Sequence, residues 1–145
     1  PSEPRPATPA PSPQLDRALA MLGDSDPGVA FSGTIELGKL KDLRAVPPLV
    51  RALEKHKDFY VRLGAADALR ELKACDAVPI LIDALLDKDD LVKSSVNVAL
   101  QGITEHEEPF APTLPSTEIR RVQTSWRKWW KENEGSVRAR LGQVK

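Results

Sequence analysis

The sequence predicts an all-α protein, a short α-solenoid of about three helical hairpins closed by a tryptophan-rich carboxy-terminal helix. Three observations predict it. Apolar residues recur at a period of about thirty-two, proline and aspartate hold fixed places within each period, and all three tryptophans fall inside residues 126–130.

The period shows first in two stretches. Ala45-Val46-Pro47-Pro48-Leu49-Val50-Arg51-Ala52-Leu53 and Ala77-Val78-Pro79-Ile80-Leu81-Ile82-Asp83-Ala84-Leu85 share Ala, Val, Pro, Leu, Ala and Leu at an offset of thirty-two. Asp26, Asp58 and Asp89 continue in register, as do Val29, Val61, Val92 and Leu37, Leu69, Leu100. Each unit reads as two helices. Proline falls early in the first, at Pro47, Pro48 and Pro79, where its missing N–H costs nothing. The aspartate caps the free amides that open the second. Within that second helix Val61, Ala65, Ala68, Leu69 and Leu72 share one face. One such pair cannot bury its apolar faces alone, so the pairs stack.

The predicted organisation follows. Residues 1–13 form a disordered Pro-rich linker, "PSEPRPATPAPSP", with six prolines and almost nothing to bury. Residues 14–44 form the first repeat, 45–76 the second, 77–107 the third, 108–133 a loop and capping helix, and 134–145 a tail. The first unit has a short first helix, about Gln14 to Leu22, and an inserted Gly-Asp-Ser before Asp26, which suits an amino-terminal cap.

Asp58-Phe59-Tyr60-Val61-Arg62-Leu63-Gly64-Ala65-Ala66-Asp67-Ala68-Leu69 resembles the second-helix signature "D-x-x-V-R-x-x-A-A-x-A-L" of the HEAT-repeat family, in particular the short bacterial HEAT-like repeats related to phycobilisome lyases. The third copy keeps Asp89, Val92 and Ala99-Leu100 but has Lys93 for arginine; the first has Ala30 there. The resemblance covers about Leu15 to Thr104. It implies that Asp58, Arg62, Asp89 and Lys93 are structural, the acid a cap and the base a bond to a neighbouring repeat. It also implies that second helices line the concave side, so Phe31, Ile35, Leu63, Asp67, Arg70, Ser94, Val98 and Gln101 form the candidate partner-binding face. Phe59 and Tyr60 are the candidate rim aromatics.

After the third unit, three prolines between Thr104 and Pro115 mark a loop. A helix then starts near Ser116, with Ile119, Val122, Trp126, Trp129 and Trp130 on one stripe and an expected end at Asn133 to Gly135. Tryptophans among Arg120, Arg121, Arg127 and Lys128 fit two uses: a stacking platform for bases, or a lid on the open end of the stack. Helical spacing favours the lid. Trp129 and Trp130 diverge by about 100° on a helix, so one is expected near solvent.

Other chemistry is sparse. Formal net charge is zero, which argues against a dedicated nucleic-acid binder. The zero hides an acidic stretch from Asp76 to Glu108 and a basic one from Glu118 to Lys145. The two either dock within the chain or serve assembly. Glu105-His106-Glu107-Glu108 reads as a solvated acidic loop and not a metal site. His56 reads as exposed, and Cys75 as a structural thiol that no second cysteine can oxidise within the chain. No eighteen-residue apolar run is present.

The expectation is therefore a non-catalytic interaction or scaffold module without cofactors. Its partner is another protein or peptide, not a specific nucleic acid, and it is monomeric or weakly self-associating. The alternatives are an accessory, lyase-like protein and nucleic-acid binding through the basic terminal helix. The Pro-rich spacer suits a bacterial cytoplasmic or envelope-tethered domain.

Overall fold

Aspartate caps set the hairpins. The Asp26 carboxylate accepts from the Gly28 amide at 2.8 Å, Asp58 from Tyr60 at 2.9 Å and Val61 at 3.3 Å, and Asp89 from Leu91 at 2.9 Å and Val92 at 3.2 Å. Each opens a second helix. The computed structural model describes residues 9–145, and over these the chain is helical without strands. The hairpins are α1 (Pro13–Leu22) with α2 (Pro27–Leu40), α3 (Val46–Lys55) with α4 (Phe59–Glu71), and α5 (Val78–Ala84) with α6 (Asp90–Thr104). The last helix is α7 (Ser116–Leu141). Pro13, Pro27, Pro47 and Pro79 sit in first turns. Residues 1–8 of the expected linker lie outside the described residues. Ser12 caps α1 through the Leu15 amide at 3.1 Å, so Pro13 belongs to the helix.

The second helices α2, α4 and α6 stack side by side, and each first helix packs on its own partner. Between them run fully buried Leu37, Leu49, Leu69, Leu81, Val92, Leu100 and Ile103. Each such side chain contributes about 1.5–3 kcal/mol of apolar burial. Small residues let the helices close. A Cβ on Gly64 of α4 would strike Thr34 Oγ1 and lie 3.0 Å from the Phe31 ring, and one on Gly33 would lie 2.6 Å from the Leu22 nitrogen.

Each second helix ends in the left-handed region, at Lys41, Lys73 and Glu105, with φ of 54°, 50° and 58°. The two lysines then reach one layer forward. Lys41 Nζ donates to the Glu71 carbonyl at 2.9 Å, and Lys73 Nζ donates to the Gly102 carbonyl at 2.9 Å. Each places a cation on the negative end of the next helix dipole. Glu105 stands at the third such position, and the α6 end receives a second cation from α7, Arg140 donating to the Ile103 carbonyl at 3.1 Å.

The ends differ. At the positions of Gly64 and Ala68, which face α2, α2 itself carries exposed Ser32 and Glu36. The outer side of α2 thus presents a charged side chain where α4 presents alanine to α2. The other end is covered by α7, which runs antiparallel along α5. Gln123 Nε2 donates to the Ile82 carbonyl at 2.9 Å, Arg127 pairs with Asp83 at 2.7 Å, and Arg138 reaches Asp76 at 2.8 Å.

The terminal helix runs past its expected end. Residues 134–141 are helix and not tail. Asn133 bonds back to the Trp129 carbonyl at 2.8 Å instead of stopping the helix. Gly135 faces open space and costs about 1 kcal/mol of helix propensity. Burial of Val137 and the Glu134–Arg138 pair at 2.7 Å offset that. The helix stops at Gly142, with φ of 69°.

Candidate binding groove on the second-helix face

Counting from each capping aspartate aligns the three second helices. The fifth residue on is Phe31, Leu63 or Ser94; the ninth is Ile35, Asp67 or Val98; the twelfth is Gly38, Arg70 or Gln101. These positions share the face turned away from the first helices. Between α2 and α4 they enclose a groove of about 320 Å³. Phe31 and Ile35 form one wall, Asp67 and Arg70 the other, and Thr34, Gly38, Gly64 and Ala68 the floor. The floor is deep because its side chains are small.

Four of the expected partner-binding residues thus meet: Phe31, Ile35, Asp67 and Arg70. Leu63 is half-buried against the core, and Val98 and Gln101 lie on α6, outside the groove. The matching gap between α4 and α6 is filled. A Cβ on Gly102 would lie 3.0 Å from Arg70 Cγ and 3.1 Å from Cδ, so the arginine stem covers the α6 backbone. Arg70 Nε is buried there without a hydrogen-bond partner. Tyr60 is exposed at the groove's mouth, its ring 6.2 Å from Phe31 and 4.1 Å from half-buried Phe59. Burial pushes the Asp67 carboxyl above its ordinary range, and Arg70 only partly opposes that.

Arg62 is 5% exposed and braces the stack. It donates to both Asp87 oxygens, at 2.9 and 3.1 Å, and to the His56 and Lys57 carbonyls at 2.9 and 3.1 Å. Lys93 instead reaches the Pro112 carbonyl at 3.2 Å, tying α6 to the loop before α7. His56 is half-buried and not exposed. Its Nδ1 accepts the Asp58 amide at 3.1 Å, the place Asp24 and Asp87 fill in the other repeats.

Trp126 is 0% and Trp130 7% exposed, with Ile119 beside them in the core; Val122 and Trp129 pack at its margin. Trp129 is the one nearer solvent, and His106 covers it, stacked at 4.1 Å with 8° between the rings. The acidic loop is therefore only partly solvated. His106 meets Trp126 edge-on at 5.1 Å and contacts Glu108 at 3.0 Å. Sequence reasoning missed this, because nothing local says which loop residue folds over a lid. Cys75 is buried, and burial raises its thiol pKa. The opposed charge stretches meet within the chain through Arg127–Asp83, Arg138–Asp76 and Arg140–Glu105.

A larger trough of about 590 Å³ lies between α1 and α3, floored by Leu19, Leu22 and Ala52 and edged by Arg51 and Lys55. It is an open seam between neighbouring first helices, with no orphaned buried polar atom among its lining residues. The α2–α4 groove is smaller but better defined chemically.

Residues 15–101 match the family of HEAT repeats. The chain belongs to the HEAT-repeat family, and its fold is a short α-solenoid of such repeats. It is also similar to the phycocyanobilin lyase subunit alpha of Synechococcus elongatus, 37% identical over 71 residues. That similarity covers 49% of this chain and 26% of the relative, so the chain matches about a quarter of that protein's length. No described helix is long and apolar enough to cross a membrane.

Proposed function

We propose that this chain is a non-catalytic interaction module that holds a peptide segment of a partner protein on its second-helix face, centred on the α2–α4 groove. The observation that carries the reading is the groove itself. Exposed Ile35, half-buried Phe31 and half-buried Asp67 surround a floor of small residues. Apolar walls with a few convergent polar groups are the usual form of a binding cleft. HEAT repeats commonly serve protein interaction, and the family supports this use of the face.

The test is a photo-cross-linker at residue 35, with Phe31→Ser and Arg70→Ser variants as controls. A partner should cross-link from residue 35, and the variants should weaken its capture at a temperature where denaturation curves show each still folded. Capture that is indifferent to both substitutions would place the contact elsewhere.

A lyase-accessory role is supported by the partial likeness to a lyase subunit. It predicts binding of a chromophore-sized molecule, which absorbance of the mixed components would report. Nucleic-acid binding through Arg120, Arg121, Arg127 and Lys128 draws less support, because the tryptophans among them are buried or covered by His106 and Arg127 is paired with Asp83. It predicts steep weakening with salt.

A further inference from the structure

The charges around the groove are not equally satisfied. Lys39 pairs with Glu36 at 3.7 Å. Glu71 pairs with Lys41 at 3.0 Å and lies 3.6 Å from Arg70. Asp67, between them, makes no hydrogen bond and no ion pair among the described residues, although it is half-buried. A carboxylate removed from water without a partner is unfavourable. Asp67 is therefore the one charged residue of the groove lining without a direct ion-pair partner among the described residues.

The walls say what should carry the answering charge. Opposite Asp67, at the same register position, stands Ile35, with Phe31 one turn before it. The floor is Thr34, Gly38, Gly64 and Ala68. The cleft is thus apolar along Phe31, Ile35 and its floor, with Asp67 beside Arg70 on one wall and Lys39 on the α2 side paired to Glu36. A long methylene stem ending in a cation fits it, because such side chains bury their stems and keep the charged head at a polar site. Phe31 adds an aromatic ring toward which a cation is attracted. An anion would meet Asp67, and a purely aliphatic group would leave Asp67 unanswered.

We propose that the α2–α4 groove binds a lysine side chain of the partner peptide, with its stem along Phe31 and Ile35 and its ammonium on Asp67. This rests on the peptide-binding reading above and sharpens it to a residue type. The neighbouring gap offers no second such site, since the Arg70 stem occupies it.

The test uses small probes on the whole chain. Amide NMR spectra are titrated with n-butylammonium, n-butanol and butyrate at constant ionic strength. Butylammonium should give saturable shifts at Ile35, Gly38, Gly64 and Asp67, and should bind more tightly than butanol. Asp67→Asn should weaken butylammonium about fivefold, the scale of a partly exposed ion pair, and leave butanol unchanged. Its spectrum checks that the fold persists. Equal binding of butanol or butyrate, no saturable shift in the groove, or an Asp67→Asn variant that still prefers the ammonium would each overturn the assignment. A peptide array separates it from the broader reading. Peptides that bind through Ile35 without regard to lysine would leave the groove standing and remove the lysine. An array with no binding at all, alongside a butylammonium site at Asp67, would remove the peptide-binding reading alone.

Discussion

The gaps between α2 and α4 and between α4 and α6 are built from the same repeat, and α4 carries arginine at two register positions where α2 does not. Four residues after the cap, the first gap has Ala30 and the second Arg62; twelve after it, the first has Gly38 and the second Arg70. In the second gap one arginine bonds across to Asp87 and the other lies over Gly102. In the first gap Gly38 leaves open the kind of space that the Arg70 stem covers in the second, and a groove remains. A HEAT-type stack can thus be filled at one seam and left open at the next by exchanging arginine for glycine.

The largest expected effect concerns what holds the braced side in place. Trp126→Ala removes a fully buried indole from the lid on α5 and should cost about 3–5 kcal/mol in chemical denaturation. If that variant keeps its stability and loses a ligand instead, the tryptophans are a platform after all. Arg62→Ala should cost about 3 kcal/mol, because it leaves the nearly buried Asp87 carboxylate with the Asp89 amide but without its counter-ion. An unchanged denaturation midpoint would show that the brace is ornamental and that Arg70 alone distinguishes the gaps.

Gly64→Ala sharpens the open side. Its methyl group would enter the space of Thr34 Oγ1 and the Phe31 ring, so α2 and α4 must part. A loss of about 1–3 kcal/mol is expected, the range for overpacking. Smaller still is Asp67→Asn. The folded Asp67 carboxyl has its pKa raised by burial. The folded state therefore holds this proton more readily than the unfolded chain. Its cost is absent below the ordinary carboxylate pKa of about 3.9 and fully present above the folded value. Asp67→Asn should raise the melting temperature at pH 7, by under about 1 kcal/mol of stability, and the gain should vanish at about pH 3. A loss of stability at neutral pH would mean that Asp67 serves the fold and not a ligand.

The hairpins were legible because caps, early prolines and the thirty-two-residue period are local signals that repeat three times. The lid was legible because Ile119, Trp126 and Trp130 keep helical spacing. Less legible was whatever depends on a distant partner. The carboxy-terminal extension of α7 rests on Val137 and on Arg138 reaching Asp76, sixty-two residues away. His106 over Trp129 depends on a loop path. The groove was half visible: Phe31, Ile35, Asp67 and Arg70 could be read as facing outward. Gly38 could not, since a glycine shows only as a missing side chain, and Arg70 marked a face without revealing that its stem closes the next gap.

Ile35 and Val98 occupy the same register position and are almost equally exposed, 44% and 47%, one beside the open gap and one beyond the filled gap. Photo-cross-linking of the partner from each position therefore tests the central claim most directly. Strong cross-linking is expected from residue 35 and little from residue 98. Equal yields from both, or the reverse order, would contradict it.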